Sequence, residues 1–224
     1  MTQALEAPND EALLADELTL DGSADEQSCA IIACGALARE ILAILDQQGL
    51  RGRVALACLP ALLHNRPEKI PEAVREKAKT LRESGVTKVL VAYADCGTGG
   101  MLDKVCEEEG LERIAGPHCY AFFSGSDTFA ANSDSDMTSF YLTDFLARQF
   151  EAIIWRGLGL DRHPELRDMY FAHYEKLVYL AQTDDPKHDA AARSAAEKLG
   201  LVYERRFTGY GELADFVQRA DQRA

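Results

Sequence analysis

The chain has 224 residues, with 24 Lys and Arg set against 37 Asp and Glu, for a formal net charge of -13. That length can bury a full core, as one large domain or two small lobes. The acidity argues against a nucleic-acid partner. No stretch is long and apolar enough to span a membrane. The acidic N-terminus lacks the charged-then-apolar pattern of a secretory signal, so a cytoplasmic location is expected. In that compartment, six cysteines point to metal, thiol or redox use over a disulfide framework.

Residues 1–27 are acidic and poor in aromatics, which predicts a disordered arm with at most one helical turn at 12–15. From 28 to 224 the chain reads as an α/β domain, with sub-lobes at 28–125 and 126–224. Residues 30–33 form a first apolar strand. Leu37, Ile41, Leu42, Ile44 and Leu45 then recur at helical spacing, and Gly49 closes that helix. A second strand falls at 54–57, and 59–70 reads as a loop. Pro71 suits the first turn of a helix running to Ser84. Strand, helix and short strand follow at 88–94, 101–109 and 113–115. This alternation predicts a mostly parallel sheet with helices on both faces. Past Tyr120 the pattern resumes, with helices at 143–156, 164–174, 190–199 and 212–219 and strands at 177–181 and 201–204. Either a second lobe or one sheet extended by two strands accounts for these.

The chemistry gathers at strand ends. Cys34 follows the first strand, Cys96 follows Val89-Leu90-Val91-Ala92-Tyr93-Ala94-Asp95, and Cys119 follows Ile114-Ala115-Gly116-Pro117-His118. Ligands of open α/β sheets bind at that edge. Thiolates in threes and fours hold zinc or iron–sulfur clusters. Zinc is the first choice and a cluster the second; three small thiols packed in a core is the plain alternative. A shared zinc requires sulfurs within roughly 3.5–4 Å of one another. His64, in the loop after the second strand, is the first candidate for a fourth ligand, ahead of His118 and Cys58. Cys34 and Cys96 each precede a helix, which predicts lowered thiol pKa values. Gly97, Thr98, Gly99 and Gly100 join strand to helix and suit an anionic cofactor or ligand group. They match neither a Walker loop nor a dinucleotide fingerprint. His163, before Pro164, reads as a helix-capping residue.

Taken together, Ala33-Cys34-Gly35, Leu63-His64-Asn65-Arg66-Pro67-Glu68, Tyr93-Ala94-Asp95-Cys96-Gly97, His118-Cys119 with Phe122-Phe123-Ser124-Gly125, and Phe140-Tyr141-Leu142-Thr143 resemble domain-of-unknown-function family 1638. The resemblance runs from Ile31 to Tyr210 and is specific as a set. It carries no settled activity. It implies a setting beside corrinoid-dependent methyltransferases of the trimethylamine type. Many members have an acidic residue before the third cysteine, where this chain has His118. The implied function is a metal-binding protein, zinc or iron–sulfur, acting as a methyltransferase-type enzyme of methyl or one-carbon transfer on a small-molecule ligand. The alternatives are a non-enzymatic accessory protein for a metal, cluster or corrinoid, or a binding module with a structural zinc. A corrinoid would arrive through a partner, a corrinoid protein or methyltransferase, because the Asp-x-His-x-x-Gly signature of a corrinoid carrier is absent.

Overall fold

The computed structural model describes residues 8–20 and 29–221. The chain divides into two compact units. One runs to Phe122 and takes back the C-terminal residues from Glu212; the other is Phe123–Gly211.

The first unit opens with helix α1 (Asp10–Ala15) and strand β1 (Leu18–Leu20). Next come β2 (Cys29–Cys34), α2 (Ala38–Gln47), β3 (Val54–Leu59), α3 (Ile70–Glu83), β4 (Lys88–Ala92), α4 (Met101–Glu109) and β5 (Glu112–Arg113). Strands β2 and β3 are apolar on both faces because helices cover both. Helix α3 turns Val74, Ala78 and Leu81 onto the sheet and its charges outward. The sheet order is β1-β3-β2-β4-β5. All pairings are parallel except β1 on β3. The chain steps from β2 to β3 on one side, then crosses to β4 on the other. That reversal makes the carboxyl ends of β2 and β4 a topological switch point, the place where open α/β sheets take their ligands.

The acidic N-terminal stretch is structured from residue 8 onward. Asn9 caps α1 through a bond from the Ala12 amide, and Leu13 is fully buried. Asp10 pairs with Arg39 at 3.1 Å and Glu17 with Lys77 at 2.6 Å. Two adjacent leucines supply the burial that composition alone does not reveal. Gly35 marks the contact: a Cβ there would lie 2.2 Å from the Leu13 carbonyl oxygen. The rest of the expected arm, residues 1–7 and 21–27, lies outside the described residues.

In the loop expected at 59–70, 3-10 turns form at Ala61–Asn65 and Pro67–Lys69. Helix α5 (Cys119–Ser124) follows β5 and carries the chain into the second unit.

That unit contains α6 (Ser126–Ala131), β6 (Ser139–Leu142), α7 (Asp144–Arg148), α8 (Leu166–Phe171), β7 (Lys176–Ala181), α9 (Pro186–Leu199) and β8 (Val202–Phe207). Its strands form a separate parallel sheet ordered β6-β7-β8, so the extended single sheet is not what forms. Strand β6 is four residues long and emerges from a polar patch, too short for an alternation signal. The helix expected over 143–156 is instead α7 followed by a π-helical stretch, Phe150–Trp155. The final helix, α10 (Glu212–Gln218), returns to the first unit, where the Gln48 side chain donates to the Ala214 carbonyl at 3.0 Å. Among the described residues, no helix is long and apolar enough to cross a membrane.

Candidate functional site: a thiol cluster at the carboxyl edge of the first sheet

Cys34 is the last residue of β2. The β2–β4 register pairs Ala33 with Ala92 and the β2–β3 register pairs Cys34 with Leu59. One rung further, Cys34 lies beside Tyr93, and alternation puts both side chains on the face of Ile32, Leu59 and Val91. Those residues form one core cluster with α3 and α4, against which Cys34 and Cys96 pack. Cys96 is reached by a short extension of β4. The Asp95 amide donates to the Gly116 carbonyl at 3.0 Å and the Cys96 amide to the Pro117 carbonyl at 2.9 Å. These two bonds fasten the turn before Cys119 to the loop that carries Cys96. All six cysteines are free thiols. Cys34, Cys96 and Cys119 are partly exposed, whereas Cys29, Cys58 and Cys106 are buried.

Among the described residues, Cys96 is the one non-glycine residue with positive φ, at 50°. An L residue is disfavoured there by roughly 1–2 kcal/mol. Glycine would relieve the strain, and glycines do occupy the positions just beyond it. The loop is held by Asp95, whose carboxylate accepts from the Thr98 hydroxyl at 2.8 Å, the Gly99 amide at 3.2 Å and the Gly100 amide at 2.8 Å. Led by the Gly100 amide, these donors lower the Asp95 pKa. Gly97-Thr98-Gly99-Gly100 therefore cradles an anion, but that anion is the chain's own carboxylate. An external one would have to displace it. Gly97, with φ of 83°, lies against Pro67, 3.6 Å from where a Cβ would stand. This contact places the turn that follows His64 beside the cysteine loop.

The thiols feel one another. Burial raises the Cys96 pKa to about 12, with charge on Cys34 adding to it. Burial likewise raises Cys119, followed by charge on Cys96 and on Cys34. Cys34 is raised by burial, with the Ala36 amide and the Tyr93 phenol pulling back and the buried Glu40 pushing further up. Cys58 is raised by burial and then by Cys34. The lowered values expected from helix N-termini are thus reversed. The amides that would have stabilised a thiolate at Cys96 are turned to Asp95, and desolvation decides the direction.

The histidines form a neighbouring pair. His64 is exposed on its 3-10 turn, yet enough protein surrounds the ring to lower its pKa. His118 is lowered by burial and then by His64. The two rings thus lie within electrostatic reach of each other, on the side where Cys119 begins α5. His163 is exposed, 3.3 Å from the Glu165 carboxylate, and belongs to the second unit.

As placed, no three Cys, His, Asp or Glu side chains among the described residues stand close enough to hold one metal ion. Cys34, Cys96, Cys119 and Cys58 share a neighbourhood, not a finished coordination sphere.

Tyr93 opens the Tyr93-Ala94-Asp95-Cys96-Gly97 motif, but only the strand register reveals its place beside Cys34. It is 2 % exposed, and its hydroxyl has no hydrogen-bond partner. The hydroxyl lies beside the Cys34 thiol without regular hydrogen-bond geometry.

The carboxyl edge of the second sheet, where the sequence from Tyr179 to Asp185 reads as a strand running into a polar loop, holds a polar cluster centred on Asp144, which the sequence alone does not single out. The buried Asp144 carboxylate accepts from Tyr179 Oη at 2.6 Å, the Gln182 amide at 3.0 Å, the Thr183 amide at 3.0 Å and the Thr183 hydroxyl at 2.6 Å. His188 Nδ1 lies 3.3 Å from the same carboxylate, and Arg148 lies 3.3 Å from Nε2. Since Arg148 can only donate, the imidazole accepts at Nε2 and donates from Nδ1.

A family model described as a protein of unknown function (DUF1638) matches residues 58–217. That span includes Cys58, His64, Cys96 and Cys119, while Cys34 lies before it. No curated protein and no solved structure matches the chain.

Proposed function

The chain belongs to the DUF1638 family, a membership that brings no activity with it, and we propose that it binds a thiophilic metal centre through Cys34, Cys96 and Cys119. The observation that supports this reading is that three partly exposed thiols lie within electrostatic reach of one another beyond the first sheet. The donor set fits. Each negative charge in this cluster makes the next ionisation harder, and a divalent cation or a cluster relieves that repulsion by replacing protons. Binding requires the partly exposed side chains to turn toward one another. The neighbouring imidazoles, His64 and His118, supply the candidates for a further ligand, and Cys58 a buried third. Partial exposure favours an open centre over the closed shell of a structural zinc.

When bound, such a centre supplies Lewis acidity or electron transfer. The chain's own residues do the rest. Asp95 fixes the loop that carries Cys96, the Gly116-Pro117 turn brings in Cys119, and a small molecule would bind at the switch point between β2 and β4. In the enzymatic form of this reading, the site holds an acceptor thiol for methyl or one-carbon transfer, the class the family resemblance implies. An accessory protein that passes its metal or cluster to a corrinoid-dependent partner is the non-enzymatic form.

The test is metal analysis of protein purified without oxygen, alongside single Cys34→Ser, Cys96→Ser and Cys119→Ser variants. Stoichiometric zinc, or iron with sulfide, that each substitution removes is the expected result. Wild-type protein that carries neither and takes up no Co(II) would overturn it. The mutual electrostatic reach of the thiols favours one second reading, a reversible disulfide between two of the three. It predicts a mass loss of two hydrogens on mild oxidation, undone by dithiothreitol.

A further inference from the structure

We propose that strand β8 is a docking surface for a second copy of this chain, the two β8 strands pairing antiparallel about a two-fold axis at Arg205 to make one continuous sheet. The inference does not depend on the thiol site.

Strand β8 has β7 on one side and, among the described residues, no strand on the other. Its register with β7 runs unbroken from Val202 to Phe207, and the strand contains no proline. The Val202 amide donates to the Glu175 carbonyl at 3.0 Å and the Thr208 amide to the Ala181 carbonyl at 2.9 Å. Backbone groups alternate in direction along a strand, so the amides and carbonyls of Tyr203, Arg205 and Phe207 point away from β7. An open row of this kind is a template for strand addition, and proteins guard it with proline, bulges or charges. The charges of β8 are engaged within their own chain. Arg206 pairs with Asp136, Glu204 with Lys176 at 3.1 Å, and Arg205 with Asp184. Apolar side chains are left open at both ends of the strand, Val202 at 71 % exposure and Phe207 at 58 %.

The order of residues along β8 makes the strand complementary to itself. A two-fold axis perpendicular to the sheet keeps each face on its own side, so only residues of the same face meet across it. With the axis at Arg205, Tyr203 meets Phe207 of the second copy, Glu204 meets its Arg206 and Val202 meets its Thr208. Each pair occurs twice. The outward amides and carbonyls of Tyr203 then bond those of the opposing Phe207, and Arg205 bonds the opposing Arg205. On one face Lys176, Glu204 and the opposing Arg206 alternate in sign. On the other, Tyr203 covers the opposing Phe207, an aromatic pair that favours antiparallel strands. The two arginines at the axis are like charges, but each is already neutralised by Asp184 and by Asp189 at 3.5 Å. An axis at Glu204 would instead set Arg206 opposite Val202 and carry Phe207 past the end of the opposing strand.

The experiment uses the full-length protein with a reducing agent present, so that no disulfide links two copies. A seam of one strand from each copy is small, and a dissociation constant on the order of 10–100 µM is expected from sedimentation equilibrium. Amide exchange followed by NMR below and above that concentration reads which side of β8 is covered. The Tyr203, Arg205 and Phe207 amides should gain protection with concentration, while those of Glu204 and Arg206, which face β7, should not change. Phe207→Lys should raise the dissociation constant at least about tenfold, since it removes both aromatic pairs and places a guarding charge at the edge. Val202→Lys should raise it less. Both side chains are exposed, so the urea midpoints of the two variants should match wild type. A protein that stays monomeric throughout would overturn the proposal and leave the strand to a different partner. A dimer whose three outward amides stay unprotected, or one that survives both substitutions, would place the contact on another surface. Growth beyond the dimer would also overturn it, because a two-fold pairing closes on itself.

Discussion

The two parallel sheets end in polar edges of opposite character. At the edge of the second sheet, one buried carboxylate, Asp144, collects four donors and a histidine, and the phenol, amides and hydroxyl around it are all bonded. At the edge of the first, three thiols are partly open, a phenol is idle, and a cysteine occupies a backbone region that glycine prefers. A satisfied network stabilises its own fold and needs nothing from outside. Strain and an unsatisfied donor persist only where something else over-determines them, which is how functional sites differ from structural ones. The comparison therefore assigns chemistry to the first edge and stability to the second.

The sharpest way to break this comparison is Asp144→Ala. Removal of the carboxylate strands Tyr179 Oη, two amides and the Thr183 hydroxyl at once. With each buried orphan worth about 1–3 kcal/mol, a loss of about 3–5 kcal/mol is expected after partial relaxation. Hydrogen exchange should locate the loss in β6, β7 and α9. Co(II) binding should survive in whatever fraction remains folded. A stability loss below about 1 kcal/mol would mean that the second edge is not the structural one.

Cys96 offers the converse. Cys96→Gly removes a donor atom and relieves the positive φ, so metal affinity should fall at least about 100-fold. Stability in urea should stay within about 1 kcal/mol of wild type, because relief of strain offsets lost packing and the added chain entropy. A large loss of stability with unchanged affinity would make Cys96 a packing residue.

How much of this was legible in the sequence differs between the edges for a physical reason. The α/β alternation, the strand ends at Cys34 and Cys96, and the helices after them follow from apolar periodicity and glycine caps, which are local. That Tyr93 stands beside Cys34 depends on the rung they share, and rungs are set by pairing between distant segments. Asp144 and His188 stand 44 positions apart, and β6 is too short to announce the strand end that brings Asp144 into place. Thiol pKa direction failed for a related reason. A helix start is visible in sequence, but the depth of burial and the diversion of loop amides to Asp95 are not. Leu13 and Leu14 outweighed the acidic composition around them, since two buried leucines can pin a segment that is otherwise solvated.

A third prediction concerns pH and belongs to the second unit. Asp136 is held far below the usual carboxylate range, first by Arg206 and then by Lys176 and Tyr141. Its bonds to Arg206 are bidentate, and Lys176 approaches to 2.9 Å. A depressed folded-state pKa contributes stability above the unfolded value, near 4, that is lost as pH falls toward the folded value. Asp136→Asn should cost about 1.5–3 kcal/mol at pH 7, the usual worth of bonds to a charged group. The gap from wild type should narrow as the pH drops below about 4. Urea midpoints at pH 7, 4 and 2.5 measure it; a gap that stays constant would remove Asp136 from the acid response.

The smallest expected effect probes how α1 bears on the first edge. Asn9 accepts from the Ala12 amide at 2.8 Å and is the cap of a helix only six residues long. Asn9→Ala should weaken that helix by about 1 kcal/mol, which corresponds to roughly fivefold more frequent local opening. The chain elsewhere holds its own core, so global stability should hardly change. Helix α1 lies against Gly35, where the Leu13 carbonyl leaves no room for a Cβ, and Gly35 follows Cys34 directly. Opening α1 should therefore expose Cys34 more than Cys96 or Cys119. Alkylation of the metal-free native protein, read by peptide mass for each cysteine, should rise up to about fivefold at Cys34 and remain level at the other two. Equal acceleration at all three would mean that α1 supports the whole edge. No acceleration at Cys34 would mean that the helix shields nothing there, and that the openness of the first edge is set by its own loops.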